Sequence, residues 1–194
     1  MYCRGEREVC ERAAGVLFPR PLTVGEWIAL SAAPNGAHVT IGIDGDGLLL
    51  DAMEPVRLGL ISLCRIERDR MGKTILTLED WRILRKKERG KGGGRRLFRR
   101  LAASARSLGI AKIEAVTRRV PGENGWYTLP RFGFDAPLPP ETLDKLPESF
   151  AASRTLLDLT ATIEGRLWWR ENGHGAELTF DLSENSRALR RFAN

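Results

Sequence analysis

Six consecutive residues, Arg89-Gly90-Lys91-Gly92-Gly93-Gly94, carry the sharpest chemical signal in this 194-residue chain. The glycines let a backbone approach a ligand closely. The residues that follow repeat apolar side chains at helical spacing. The first N–H groups of such a helix are unpaired, and its dipole is positive at that end. Lysine and arginine add charge. Together these are the parts of a diphosphate cradle, so a phosphate-bearing cofactor is the first ligand expected. Two common loop types fit poorly. A dinucleotide fingerprint sits at the first βα turn and wants an acidic residue at the end of the next strand, whereas several strand-like runs precede this loop. A Walker A loop needs Gly-Lys-Ser/Thr, and no Ser or Thr follows these glycines.

The loop needs a strand before it and a helix after it. Residues 6–17 read as a helix (Val9, Ala13, Val16, Leu17) ended by Pro19 and Pro21. Thr23-Val24-Gly25-Glu26 reads as a capping box opening a short helix through Leu30. Turn residues at Pro34–Gly36, Asp44–Gly47 and Arg70–Gly72 separate β-rich runs at His38–Ile43, Leu48–Ala52, Val56–Ile66 and Lys73–Leu84, the pattern of an antiparallel meander. After the loop, Leu97, Phe98, Leu101, Ala102, Ala105 and Leu108 form one stripe, Gly109 ends the helix, and Ala111–Thr117 is a strand. Strand, loop, helix and strand imply a parallel crossover, so the sheet should be mixed. Residues 120–140 are rich in Pro and Gly, with a short helix near Trp126–Phe132. Glu141–Phe150 reads as a short helix broken by Pro147. The tail reads as Leu156–Ile163, a Trp168-Trp169 hairpin turning at Asn172–Gly175, Leu178–Leu182, and a helix over Ser183–Phe192. The expected fold class is α/β (α+β layered): a mixed, mostly antiparallel sheet flanked by helices. Residues 1–140 form its domain and 141–194 a C-terminal extension.

The net charge of +6 suggests an anionic partner: a cofactor, an acidic substrate or nucleic acid. Nine Lys/Arg lie between Arg85 and Arg100. On the helix they alternate with the apolar stripe as a solvated face does, which disfavours nucleic acid as the principal ligand. Cys3, Cys10 and Cys64 lack zinc or disulfide spacing and are expected to be reduced, inert thiols. His38 and His174 have no ligand company, so no metal is expected. No apolar run approaches a membrane span or a signal-peptide core, so a cytoplasmic protein without membrane partners is expected.

Beyond these residue-level readings, the chain resembles the GCN5-related N-acetyltransferases, the GNAT superfamily. That family carries Arg/Gln-x-x-Gly-x-Gly/Ala between its fourth strand and the next helix, matched here by Arg89-x-x-Gly92-x-Gly94. The helix over 94–108, the Gly109 turn and the strand from Ala111 follow in the family's order. Asn124 and Arg131-Phe132-Gly133-Phe134 resemble its Asn and Gly-Phe ending. The resemblance covers roughly residues 56–136. It implies acetyl-CoA as donor, with its pyrophosphate on Gly90, Lys91, Gly92, Gly93, Gly94 and Arg95 beside Arg89. Its pantetheine arm would run along the strand end at Ile83 and Leu84 and meet Asn124. It implies transfer of acetyl to an amine-bearing acceptor by direct attack, with a backbone N–H at Ile83 or Leu84 facing the oxyanion.

The base is expected among Asp80, Glu79 and Glu114. Adjacent strand residues face opposite sides, so Asp80 and Glu79 should not both face the cleft, and Asp80 is favoured. The family's acid is a tyrosine four residues before the Gly-Phe glycine, where this chain has Leu129. Tyr127, two residues earlier, is the alternative. A non-catalytic binding module and a basic nucleic-acid-binding domain are the competing readings. The tail would allow a homodimer. Ser104 has no triad partners, and Trp168-Trp169 reads as packing.

Overall fold

The computed structural model describes residues 2–3 and 7–193, with side chains from Glu8 on. Glu6, at the start of the first expected helix, and the Cys3 thiol lie outside what is described. By its contacts the chain divides into two compact units, Met1–Ile113 and Glu114–Asn194.

The first unit holds β1 (Tyr2–Cys3), α1 (Arg7–Leu17), α2 (Val24–Leu30), β2 (His38–Asp44), β3 (Gly47–Glu54), β4 (Leu60–Arg68), β5 (Thr74–Ile83) and α3 (Gly93–Ser107). The strand β6 (Lys112–Val116) crosses the boundary between the units. β1 pairs with β2 in parallel, and β2 through β5 form antiparallel neighbours. After α3, the Ala111 N–H donates to the Thr74 carbonyl at 2.9 Å. The chain has therefore returned to the start of β5, as a parallel crossover requires. The architecture is α/β with a mixed sheet.

Alternation sends one face of this sheet into the core. Val39 and Ile41, Leu48, Leu50 and Ala52, Leu60, Cys64 and Ile66, and Leu76 and Leu78 are all buried. Leu97 of α3 joins Val39, Ala52 and Leu60 there, with Trp81 and Ile83 packed against the cluster. That set breaks simple alternation, because Leu78 and Trp81 are three apart. The register explains it. Cys64 faces Leu78, but Leu63 faces Asp80. Glu79 is therefore an extra residue on β5, a β-bulge. Without it Trp81 and Ile83 would point away from the face that holds Leu76 and Leu78.

Two expectations about elements change. Val56–Ile66 is not one strand: the chain turns first and β4 begins at Leu60. The buried Glu54 carboxylate accepts N–H bonds from Val56, Arg57 and Leu58 at 3.0, 2.8 and 2.7 Å. Burial pushes this carboxyl up, but the three N–H donors outweigh it and hold it below its ordinary range. The tail is the second change. The second unit holds α4 (Gly125–Phe132), α5 (Pro140–Leu143), α6 (Leu156–Leu159), α7 (Ile163–Asn172), β7 (Glu177–Asp181) and α8 (Arg187–Ala193). Residues 141–194 share this unit with 114–140, and Asp135 and Thr179 exchange backbone bonds at 2.8 and 2.9 Å. Trp168 and Trp169 lie on a helix, not in a hairpin. Thr155 and Thr162 cap α6 and α7 through the N–H groups of Asp158 and Gly165, and these local bonds favour helix over an extended run.

The capping box at Thr23 forms, with Glu26 accepting the Thr23 N–H at 2.8 Å. Arg20 adds bonds of 2.5 and 3.0 Å to the same carboxylate. The Arg20 bonds first, then the Thr23 N–H, lower the Glu26 carboxyl to about 2. A depressed folded-state value stabilises above the unfolded value, near 4.5, and that stability is lost as pH falls toward 2. Glu26→Ala is expected to cost about 1 kcal/mol at pH 7, a thermal shift of about 2–4 °C. Calorimetry from pH 7 to pH 2 should show the difference shrinking below pH 4.5.

Candidate functional site

The glycine loop grows out of the end of β5. Pairing with β4 runs past the strand, with Leu84 N–H on Gly59 O at 2.9 Å and Arg85 N–H on Leu58 O at 3.2 Å. One 3-10 turn follows at Lys86–Glu88. Arg89 then folds back, and its Nε donates to Ile83 O at 2.7 Å, latching the loop to the strand that precedes it. Gly90 and Gly92 have φ of 78° and 77°, the left-handed region. Gly92 is the N-cap of α3, and no side chain caps the helix there. A Cβ at Gly90 or Gly92 would meet nothing within 4 Å, so backbone conformation, not crowding, is what demands glycine. At Gly94 a Cβ would stand 3.6 Å from Trp81 and 3.9 Å from Ile83, so the start of α3 is seated on the end of β5.

The turn built on Glu54 supports this seat. Leu58 lies 4.0 Å from the Cβ position of Gly93, and Arg85 Nη2 donates to Pro55 O at 2.9 Å. Lys91 pairs with Glu88 at 3.5 Å, Arg95 is half-buried, and Lys91, Arg89 and the loop glycines at 90 and 92 are exposed. Sequence reading missed Glu54. Its only signal was a carboxylate followed by proline, before a run that looked like strand.

The two strand carboxylates are placed differently from the expectation. The bulge removes the parity rule, so Glu79 and Asp80 need not face opposite sides. Asp80 stands opposite Leu63, whose face of the sheet is the half-exposed one. Glu79 reaches Arg65 of that same face, with Arg65 Nε donating at 2.6 Å. Arg65 also binds Asp44. Asp80 accepts from Arg82 at 2.5 Å. Leu84 is a weaker oxyanion donor than expected, because its N–H is spent on Gly59 O. Ladder alternation points the Ile83 N–H to the edge of β5 away from β4.

Tyr127 and Asn124 belong to the second unit. Asn124 is the N-cap of α4, where its carbonyl accepts from Tyr127 and Thr128 at 3.0 and 2.8 Å. The half-buried Tyr127 ring lies 5.4 Å from the Arg131 guanidinium and 5.9 Å from that of Arg170. Glu114 is half-buried on β6.

Other groups are structural. Trp169 is buried and donates to Trp126 O at 2.9 Å. His174 contacts Gly175 O through Nδ1 at 2.7 Å and Thr142 Oγ1 through Nε2 at 3.0 Å. A carbonyl only accepts, so Nδ1 carries the proton, and in the neutral ring Nε2 accepts from Thr142. A cavity of about 200 Å³ is lined by Leu157, Arg187, Arg190 and Arg191. Its arginines are engaged, Arg187 with Asp158 and Arg191 with Thr160 O. Cys10 and Cys64 are buried, and burial pushes the Cys64 thiol up to about 12, so it is no nucleophile. Among the described residues no cluster of three His, Cys, Asp or Glu is placed to hold a metal, and no helix is long and apolar enough to cross a membrane.

No protein-family model and no curated protein matches this chain. The chain is similar to a number of solved structures, including these three. One is the NatC complex bound to Gag peptide and CoA, with TM-score 0.41 and 11% identity over 70% of this chain and 71% of that one. Another is Arabidopsis thaliana Naa50 in complex with the bisubstrate analogue CoA-Ac-MVNAL, with TM-score 0.35 and 14% identity over 68% and 78%. The third is N-acetylglutamate synthase from Neisseria gonorrhoeae complexed with coenzyme A and N-acetyl-glutamate, with TM-score 0.35 and 18% identity. There the match covers 71% of this chain and 26% of the longer one.

The loop's conformation can be tested apart from any ligand. Gly92→Ala is expected to cost about 1 kcal/mol, from left-handed strain alone. At Gly133, with φ of 106°, a Cβ would stand 2.6 Å from Ala188 O. Thermal denaturation should therefore show Gly133→Ala several times more damaging than Gly92→Ala.

Proposed function

We propose that this chain is an acetyl-CoA-dependent N-acetyltransferase of the GNAT type. The observation that carries the reading is the loop at 89–94. It is latched to its own strand by Arg89, turned by two left-handed glycines, and opens on the uncapped N-terminus of α3. N–H groups at Gly92 to Arg95 would hold a diphosphate without any side-chain rearrangement. Lys91 and Arg95 would add positive charge beside it. The bound donor supplies an acetyl group activated as a thioester.

The chain's own residues do the rest. The Ile83 N–H faces the oxygen that gains charge when the acceptor amine attacks. Asp80 takes the proton the amine loses. The proton that the departing sulfur needs would come, on the motif resemblance alone, from Tyr127. The bonds balance: nitrogen–carbon forms, carbon–sulfur breaks, one proton is taken up and one is given. The acceptor is a primary amine.

Gly92→Asp should abolish acetyl-CoA binding by calorimetry, because a carboxylate would stand beside the pyrophosphate, and Gly94→Asp should do so by driving its carboxylate into the Trp81 and Ile83 seat of α3. An unchanged affinity would remove the donor assignment. A second reading, a binding module without turnover, is favoured by one observation: both strand carboxylates are already ion-paired with arginines. The two readings separate on Asp80→Asn. Catalysis predicts thiol release that falls mostly at low pH, where the amine most needs deprotonating. A rate equal to the parent's at every pH removes Asp80 from the mechanism. No thiol release by the parent with any amine, despite tight acetyl-CoA binding, selects the binding module.

A further inference from the structure

The charge of this protein is concentrated in one place. Residues 85–106 contain ten Lys/Arg and a single acid, Glu88, a net of +9 in a chain whose total is +6. Everything outside that segment is therefore slightly acidic. A diphosphate on the loop accounts for the charges at its mouth but not for those farther on. Arg99 lies ~9 Å along the axis from the first residue of α3, and Arg106 ~20 Å, at the 1.5 Å rise of a helix.

The buried stripe of α3 is Leu97, Phe98, Leu101, Ala102 and Ala105. The outer face beyond the loop carries Arg96, Arg99, Arg100 and Arg106. Arg96, Arg99 and Arg106 are exposed, and Arg100 is half-buried. Ala103 and Ser107, both small and exposed, are the other residues of that face. No acidic residue occurs in the helix. Surface helices normally alternate charge signs at i,i+4 to gain pair energy, whereas neighbouring like charges cost stability. A face of four arginines on a helix whose own sequence holds no acidic residue is a surface complementary to a polyanion.

We propose that the outer face of α3 is a second binding surface, separate from the loop, for the phosphate backbone of a nucleic-acid duplex, recognised without regard to sequence. Guanidinium groups match phosphate oxygens in bidentate geometry. A membrane surface fits less well, because the face has no large apolar side chain to insert; those of α3 are in the core. An unpaired strand fits less well too, because the face has no aromatic platform for bases.

The test uses the full chain and a labelled mixed-sequence duplex of about twenty base pairs, titrated across a salt series. Log affinity against log salt should fall with a slope of about −4, near 0.9 for each phosphate engaged. Saturating CoA should leave duplex binding in place. In the triple variant Arg99→Gln, Arg100→Gln, Arg106→Gln, the slope should shrink by about 3 and duplex affinity at low salt should drop at least tenfold. Glutamine keeps helix propensity, so circular dichroism and CoA affinity should match the parent. The proposal is overturned by any one of four results: no duplex binding at 50 mM salt; full displacement by CoA; an unchanged slope in the triple variant; or preferential binding to single strands or to phosphatidylserine vesicles.

Discussion

One extra residue in β5 organises the first unit. The bulge at Glu79 shifts side-chain parity midway along the strand, so that Leu76 and Leu78 before it and Trp81 and Ile83 after it bury on the same side. Arg65 holds the bulged residue by gripping Glu79, and it reaches Asp44 beside the β2–β3 turn as well. The grip ties three strands together at the point where the ladder is irregular. The same irregularity frees Asp80 from strict alternation with its neighbour. A device that serves packing thus also decides which face two carboxylates occupy.

From the bulge the effect runs to the loop through contacts of the first unit. Trp81 and Ile83 give α3 its seat at Gly94. The β3–β4 turn supplies the other shoulder, and that turn exists because the Glu54 carboxylate satisfies three of its N–H groups. A buried carboxylate with three donors is a rigid support, since losing any one bond leaves charge without solvent. The glycines themselves hold nothing in place. Their freedom matters only because Arg89, Leu84 and Arg85 fix both ends of the segment.

Local chemistry made much of this legible in the sequence. The Thr23–Glu26 box, the turn at Gly72, the stripe of α3 and its Gly109 stop depend on neighbours within a few residues, and they formed as their residue types imply. What escaped depends on partners far along the chain. The bulge looks in sequence like failed alternation, because only the register against Cys64 and Leu63 reveals an extra residue. Val56–Leu58 look like strand until Glu54 is seen to capture their N–H groups. In the tail, apolar runs at 156–163 and 167–169 suit either period, and the threonine caps settle them as helix. Among the candidate site residues, the conformation of the loop, a glycine turn opening a helix, was legible as a unit. The surroundings of Asp80, Glu79 and Tyr127 were not, because parity and arginine contacts are tertiary facts.

Trp81 stands where these effects converge. Its indole N–H donates to Ala32 O at 3.3 Å, its ring centroid is 6.3 Å from that of Phe98, and its far edge lies against the Gly94 backbone. An indole held at its N–H, its face and its far edge is fixed in orientation relative to the adjacent helix terminus. A ligand seated on the glycine loop would lie one residue layer above this indole and would change its emission in the unlabelled chain.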